Sequence, residues 1–229
     1  MVLLPLLLAL TAAPTPQAPA RTVMLTRFDR LRVSGPYMVE VVTGGRTGAE
    51  LLGDRRAAEG VTVQVESGVL TIRPASRTQD DFATPRSPVT IRVRTTAPLQ
   101  AIALAGGGKV TADRLAGTRA EVALSGTGAL TIAGIAAEQL VGTLVGSGSL
   151  TLAGNARQAR LTASGSGSFD AAALDARELM LRSEGAGEGR FRARFSADVT
   201  ANGAGSVTVE GTPKCRVRGT AAVRCGAEP

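Results

Sequence analysis

The sequence predicts an all-β protein built as a parallel β-helix, a solenoid with coils of about 20 residues. Three observations lead there. A phrase of the form apolar, x, apolar, x, Gly-x-Gly, x, apolar, x, apolar recurs between Ile102 and Gly211. Its glycine pairs, Gly106/Gly108, Gly126/Gly128, Gly146/Gly148, Gly165/Gly167, Gly185/Gly187 and Gly203/Gly205, follow one another at 20, 20, 19, 20 and 18 residues. The alternation also runs through each pair without a change of parity, as in Val122, Leu124, Gly126, Gly128, Leu130 and Ile132.

Strand side chains alternate faces, so the apolar groups and both glycines share one face, which must turn inward. Ser125, Thr127 and Thr131 take the other face. A chain bending sharply toward its interior leaves no room there for a Cβ, and glycine reaches φ > 0 without steric cost, so each pair reads as a corner. Stacked coils lie about 4.8 Å apart. Two rival readings fail. A dinucleotide fingerprint needs a third glycine opening a helix, whereas Gly146-Ser-Gly148 leads into the strand pattern Ser149-Leu-Thr151. The leucine-rich-repeat phrase is absent.

In chain order, residues 1–20 hold a compact apolar run, Met1 to Leu10, followed by Thr, Ala and Pro. It is too short to span a bilayer and reads as the apolar region of a secretory signal that lacks a basic start. Ala18-Pro-Ala20 is the cleavage site, so the mature chain is expected from Arg21 as one domain over 21–229; no cysteine follows the run, and lipoprotein processing is not expected. Irregular strands are expected over 23–97 and regular coils over 98–229. Leu31, Val33, Gly35, Tyr37, Val39 and Val41 share a parity and read as an opening strand pair with Tyr37 in the second glycine's place. Gly44 to Gly60 has a weaker pattern and contains Asp54-Arg55-Arg56. Val61, Val63 and Val65, then Leu70 and Ile72 across Ser67-Gly68, read as a hairpin whose parity slips at the turn. Ala75 to Pro88 is polar and reads as an exposed loop, after which Val89, Ile91 and Val93 resume the strand. Leu115 to Thr118, Ile135 to Leu140 and Leu174 to Leu179 form the return side of the coils. The sequence departs most from repetition there, so loop-borne specificity is expected on that side.

Cys215, Val217, Gly219, Ala221, Val223 and Cys225 again share a parity. On a straight strand the sulfurs would lie about 33 Å apart, far beyond the Cα separation of about 7 Å that a disulfide tolerates. Folding back at Gly219-Thr220-Ala221 brings the cysteines opposite each other. In an oxidising compartment this predicts a Cys215–Cys225 disulfide that pins a terminal hairpin and closes the solenoid end. With no histidine in the chain, two thiols do not make a metal site, and no metal or cofactor is expected.

The opening Phe28-Asp-Arg-Leu-Arg-Val-Ser-Gly-Pro-Tyr-Met-Val39, the hairpin end Gly68-Val-Leu-Thr-Ile72, the Ser-Gly-x-Gly repeats at Ser125 and Ser164, and Asn202-Gly-Ala-Gly-Ser-Val207 with Glu210-Gly-Thr-Pro213 together form a pattern. It resembles the GIN domain family, labelled a putative autotransporter adhesin head domain, from about Phe28 to the end. The resemblance implies a right-handed β-helical, exported bacterial protein and carries over no catalytic residues. The sequence reaches Pro229 without the alternating strands of a membrane barrel, so a self-sufficient autotransporter is not expected.

The chain carries 26 basic against 19 acidic residues, a formal net charge of +7, and all its basic residues except Lys109 and Lys214 are arginine. The arginines are scattered and not interleaved with aromatics, which argues against nucleic acid as a partner. They suit a polyanion: Arg190, Arg192 and Arg194, with Arg27, Arg30 and Arg32, are the candidate contacts for lipopolysaccharide or acidic glycans. Asp170, Asp175, Glu184, Glu188 and Asp198, beside Arg182 and the 190–194 trio, are of the residue types that polysaccharide-active β-helices use. Ion pairing on a solvated face explains them without further cause. No tryptophan and one tyrosine leave little aromatic platform for a sugar. The reading is a non-enzymatic binding or adhesion module of the periplasm or cell surface of a Gram-negative bacterium, with an envelope glycan, polyanion or protein as partner. The alternatives are a polysaccharide-active enzyme and a purely structural envelope protein.

Overall fold

The structure is a computed structural model that describes residues 20–75 and 89–227. The predicted signal, apart from Ala20, and the predicted polar loop after Ala75 lie outside the described residues. The elements run β1 (Arg21–Met24), β2 (Arg30–Ser34), β3 (Met38–Thr43), β4 (Gly48–Leu52), α1 (Arg55–Glu59), β5 (Val61–Glu66), β6 (Val69–Pro74), β7 (Thr90–Thr95) and β8 (Ala101–Ala105). They continue with β9 (Lys109–Ala112), β10 (Leu115–Gly126), β11 (Ala129–Gly146), β12 (Ser149–Gly165), β13 (Ser168–Gly185), β14 (Glu188–Asn202), β15 (Ser206–Glu210), β16 (Lys214–Gly219) and β17 (Ala222–Ala227).

These strands stack as a β-solenoid of about six turns. Each long strand bends through a whole coil. In β11, residues 129–132 form a first wall, Ile135 opens a return wall, and residues 139–146 form a third wall leading to the next glycine corner. Successive coils run parallel, with Leu124, Leu144 and Ala163 in one row and Gly126, Gly146 and Gly165 in the next. From β10 to β14, changes in coil length fall in the stretch entering and crossing the return wall, where the register shifts between Ile132 and Ile135, Thr151 and Gly154, and Ala171 and Glu178; the last rung also shifts between Val209 and Glu210. The return side is therefore where the repeat tolerates variation, as its sequence suggests.

At each corner the first glycine holds φ between +105° and +121°. L side chains rarely adopt that conformation. The second glycine's N–H donates to a carbonyl one coil back, Gly128 to Gly106 at 2.9 Å, Gly148 to Gly126 at 3.0 Å and Gly205 to Gly185 at 3.0 Å. The direction of the missing Cβ corrects the sequence reading. A Cβ on Gly146 would sit 2.5 Å from the carbonyl oxygen of Gly126, and one on Gly128 2.5 Å from that of Gly108. The crowding thus runs along the solenoid axis, coil against coil, and Gly106, Gly165, Gly185 and Gly203 face solvent, not the core.

The second glycines divide in the same way. Gly108, Gly128, Gly148 and Gly167 are buried, as an inward face requires, whereas Gly187 and Gly205 are half-buried. Gly205 therefore departs from the expected inward corner. It lies just ahead of β15, outside any strand, with only the short rung of β16 and β17 stacked beyond it. Its corner role survives for a different reason: a Cβ on Gly205 would run into the Gly187 carbonyl oxygen of the coil before.

The interior is a continuous row of buried apolar side chains from Phe28 to Val209. Its largest groups fit because glycines sit beside them. Phe169 and Phe191 meet edge to face with centroids 5.2 Å apart. A Cβ on Gly142 would press on Leu161 and Phe169, and one on Gly189 on Phe191.

Two expectations about the ends are corrected. The opening segment is not a strand pair: β2 pairs with β8 and β3 with β9, both in parallel, so Gly35-Pro-Tyr37 is the corner of one more coil. The solenoid column therefore takes in residues from Arg30 onward. The excursion between β3 and β8 closes that end. β5 and β6 form the predicted hairpin, whose turn residues Ser67 and Gly68 both have positive φ. The weakly patterned stretch supplies β4, antiparallel to β7, and α1, capped by Asp54 Oδ1 accepting from Ala57 N at 3.0 Å. At the other end, Cys215 and Cys225 are bonded as expected, with Cα atoms 6.3 Å apart. Their strands do not form a hairpin: β16 lies parallel on β14 and β17 parallel on β15, so the disulfide bridges two walls of the last coil across its open end. Parity alone cannot separate the two arrangements, because both turn the cysteines inward.

Candidate functional site

The arginine trio singled out in the sequence is brought together with the acidic residues singled out beside it. Arg190 donates to Asp170 at 3.2 Å, Arg192 to Glu210 at 3.0 Å, and Arg194 grips both oxygens of Asp175. Each partner lies one coil away, at sequence separations of 20, 18 and 19 residues. Asp198 faces Arg216 and Arg218 at 3.8 and 3.9 Å, and Glu184 pairs with Arg182 at 2.8 Å. Glu188 is exposed on the first wall. Asp170, Asp175, Glu210 and Asp198 thus tie coils together on the outer surface, whereas the Glu184 pair stays within one strand. Such exposed pairs contribute at most about 1 kcal/mol each. The signal for the pairs between coils was present in the sequence, since about one repeat period separates each of those acids from its arginine.

Arg30 and Arg32 are placed differently. They project outward from β2 and have no hydrogen-bond or ion-pair partner among the described residues. They border a trough of about 380 Å³ on the third wall. Its origin lies in the register. One outward row runs Arg30, Ala101, Glu121, Val141, and the next runs Arg32, Ala103, Ala123, Thr143. Long side chains stand at one side, methyl-sized ones lie in the middle, and Arg119 paired with Glu121 at 2.7 Å closes the far rim. Alternate residues on a strand are about 6.6 Å apart, so the two guanidinium groups can grip one anionic group or two neighbouring ones. Arg27 lies outside the trough lining.

A second, more open concavity of about 380 Å³ lies on the return wall between Ala136, Ala156 and Arg157. Two of its three cations are engaged, Arg194 with Asp175 and Arg177 at 5.0 Å above the ring of the exposed Phe195, whereas Arg157 has no hydrogen-bond or ion-pair partner among the described residues. Among the described residues, no three His, Cys, Asp or Glu side chains are grouped to hold a metal ion, and no helix is long and apolar enough to cross a membrane.

No curated protein sequence is significantly similar to the chain. Solved structures share the fold at low identity. A putative adhesin from Bacteroides fragilis is 20% identical with a TM-score of 0.79, over 89% of this chain and 94% of that one. A putative lipid binding protein from Parabacteroides distasonis is 18% identical with a TM-score of 0.71, over 90% and 96%. A putative adhesin from Parabacteroides merdae is 16% identical with a TM-score of 0.67, over 89% and 94%. The recurring Gly-x-Gly coils and the Gly35-Pro-Tyr37 corner fall within residues 27–213, which match the model of one family along their whole extent, and the chain belongs to that family, described as putative auto-transporter adhesin, head GIN domain.

Proposed function

We propose that the chain is an exported, non-enzymatic binding module of the bacterial envelope, and that its contact is the third-wall trough, taking an anionic envelope ligand with an apolar part. The observation that carries this is the pair Arg30 and Arg32, unpartnered among the described residues and standing beside a floor of Ala101, Ala103, Ala123 and Val141. Guanidinium groups suit phosphate or carboxylate, and a floor of methyl groups suits an acyl chain or the apolar face of a sugar. The solved structures of the same fold described as a putative adhesin and a putative lipid binding protein support a binding role. Export to the periplasm or cell surface is supported by the apolar leader with its Ala18-Pro-Ala20 site and by the disulfide, which persists in oxidising compartments. Four of the five candidate carboxylates for catalysis, all but Glu188, are engaged by arginines, which favours a binding role over a polysaccharide-active one.

The test is binding of the mature protein, residues 21–229, to vesicles with and without anionic lipid, to acidic and neutral glycans, and to dextran sulfate, at low and high salt. Binding to anionic vesicles or to an acidic glycan that persists at high salt is the expected result. Binding that salt abolishes in every arm, or no binding at all, overturns the reading, because charge alone is screened within about 10 Å at 0.1 M salt.

A further inference from the structure

We propose that the carboxyl-terminal rung of the solenoid is a docking edge, which receives by strand addition an extended partner segment alternating apolar and acidic residues. This does not depend on the trough.

The two ends of the molecule are finished differently. At the amino-terminal end, β5 lies antiparallel on β6, β4 on β7 and β1 on β4, and α1 packs beside β1 and β5 with Ala58 fully buried. At the carboxyl-terminal end, every residue of β16 is exposed. Val217 is 45% exposed, Val223 and Cys225 are half-buried, and the disulfide spans the gap between the walls. β16 pairs with β14 and β17 with β15, which leaves the opposite edge of each strand without a strand partner among the described residues. Such an edge is a template for another strand.

The charges on this rung define what fits. Lys214, Arg216, Arg218 and Arg224 all stand on it, and the carboxylate that faces them, Asp198, lies below Arg216 and Arg218. In the coils beneath, Arg190, Arg192 and Arg194 are each met by a carboxylate in an adjacent coil, Asp170, Glu210 and Asp175 in turn. A rung continuing that pattern would be acidic on its outer face and apolar toward Val217 and Val223. A second copy does not match. Two carboxyl-terminal ends oppose like charges, and among the described residues the edge strands at the amino-terminal end carry Thr62, Gln64 and Glu66 on β5 and Arg21 and Thr22 on β1, a single acid. Charge complementarity therefore points to an acidic segment of a different protein as the occupant.

The experiment uses the mature protein and a capped peptide of about eight residues alternating Glu and Val, long enough at about 3.3 Å per residue to span β16. A Glu-Pro peptide carries the same charge but lacks alternate N–H donors. The expected result is binding of the Glu-Val peptide with slowed hydrogen exchange at residues 214–226. Affinity should fall about tenfold or more for the Glu-Pro peptide and for Arg216→Glu/Arg218→Glu, as expected when several backbone hydrogen bonds or two cations are lost. The side chains changed are exposed, and an unaltered circular dichroism melt verifies the fold. Equal affinity for both peptides reduces the contact to charge and overturns strand addition. Slowed exchange at β1 or β5 instead, or no binding up to millimolar peptide, also overturns it, the latter leaving the four cations as guards against edge-to-edge association.

Discussion

The glycine corners show how one missing methylene fixes the stack. Gly44 and Gly146 have almost the same φ, +122° and +116°, yet a Cβ on Gly44 meets nothing within 4 Å, whereas one on Gly146 meets the Gly126 carbonyl oxygen at 2.5 Å. Gly44→Ala therefore carries only the conformational cost, about 1–2 kcal/mol, while Gly146→Ala adds displacement of a packed coil and should cost about 3 kcal/mol or more. Urea unfolding of the two variants measures the difference, and equal losses would mean that conformation alone accounts for the corners. Inside the core, Gly142→Ala forces a Cβ to 2.7 Å from Leu161 Cδ2. That overpacking should cost about 1–3 kcal/mol, read from the same unfolding curves. The parity of these glycines was legible in the sequence, because strand geometry sets it. The reason for them was not, because the obstructing oxygen belongs to a residue about one period away.

At the scale of elements, the regular coils could be read from their repetition, and the ends could not. β2 and β3 read as an opening strand pair in sequence, although they carry the repeat phrase with Tyr37 in the second glycine's place, because Gly35-Pro36 is a turn signal either way. Only the parallel register onto β8 and β9 shows that the chain turns a corner there and does not reverse. The same ambiguity hid the arrangement of β16 and β17, although the cysteine pairing was legible from their shared parity. β4 lies in a stretch of weak alternation, whereas α1 does have a readable start in Asp54. The disulfide closes a short loop, with a sequence separation of 10. Cys215→Ala/Cys225→Ala should cost about 2–3 kcal/mol. A solenoid's coils contact only their neighbours, so the loss should be local, with faster hydrogen exchange in β16 and β17 and little change in β11 to β13. Uniform acceleration along the chain would show that the last rung holds the whole molecule together.

Across the whole molecule, the described arginines of the outer surface divide into those paired with a carboxylate and those left facing solvent, and on the proposed reading the second group is the one a ligand meets. The sequence pointed first to 190–194 because three arginines cluster there, but clustering along the chain says little when the neighbour that matters is about 20 residues distant. Arg30 and Arg32 sit instead on a row whose next residues are alanines, which is what leaves the trough. The most direct measurement is a comparison of two double reversals with the same change in net charge, Arg30→Glu/Arg32→Glu and Arg190→Glu/Arg194→Glu, titrated with anionic vesicles alongside the unaltered mature protein. The account expects the first to lose about tenfold or more in affinity, as removal of two charge-assisted contacts implies, and the second to lose much less. Equal losses, or a larger loss at 190 and 194, would contradict it.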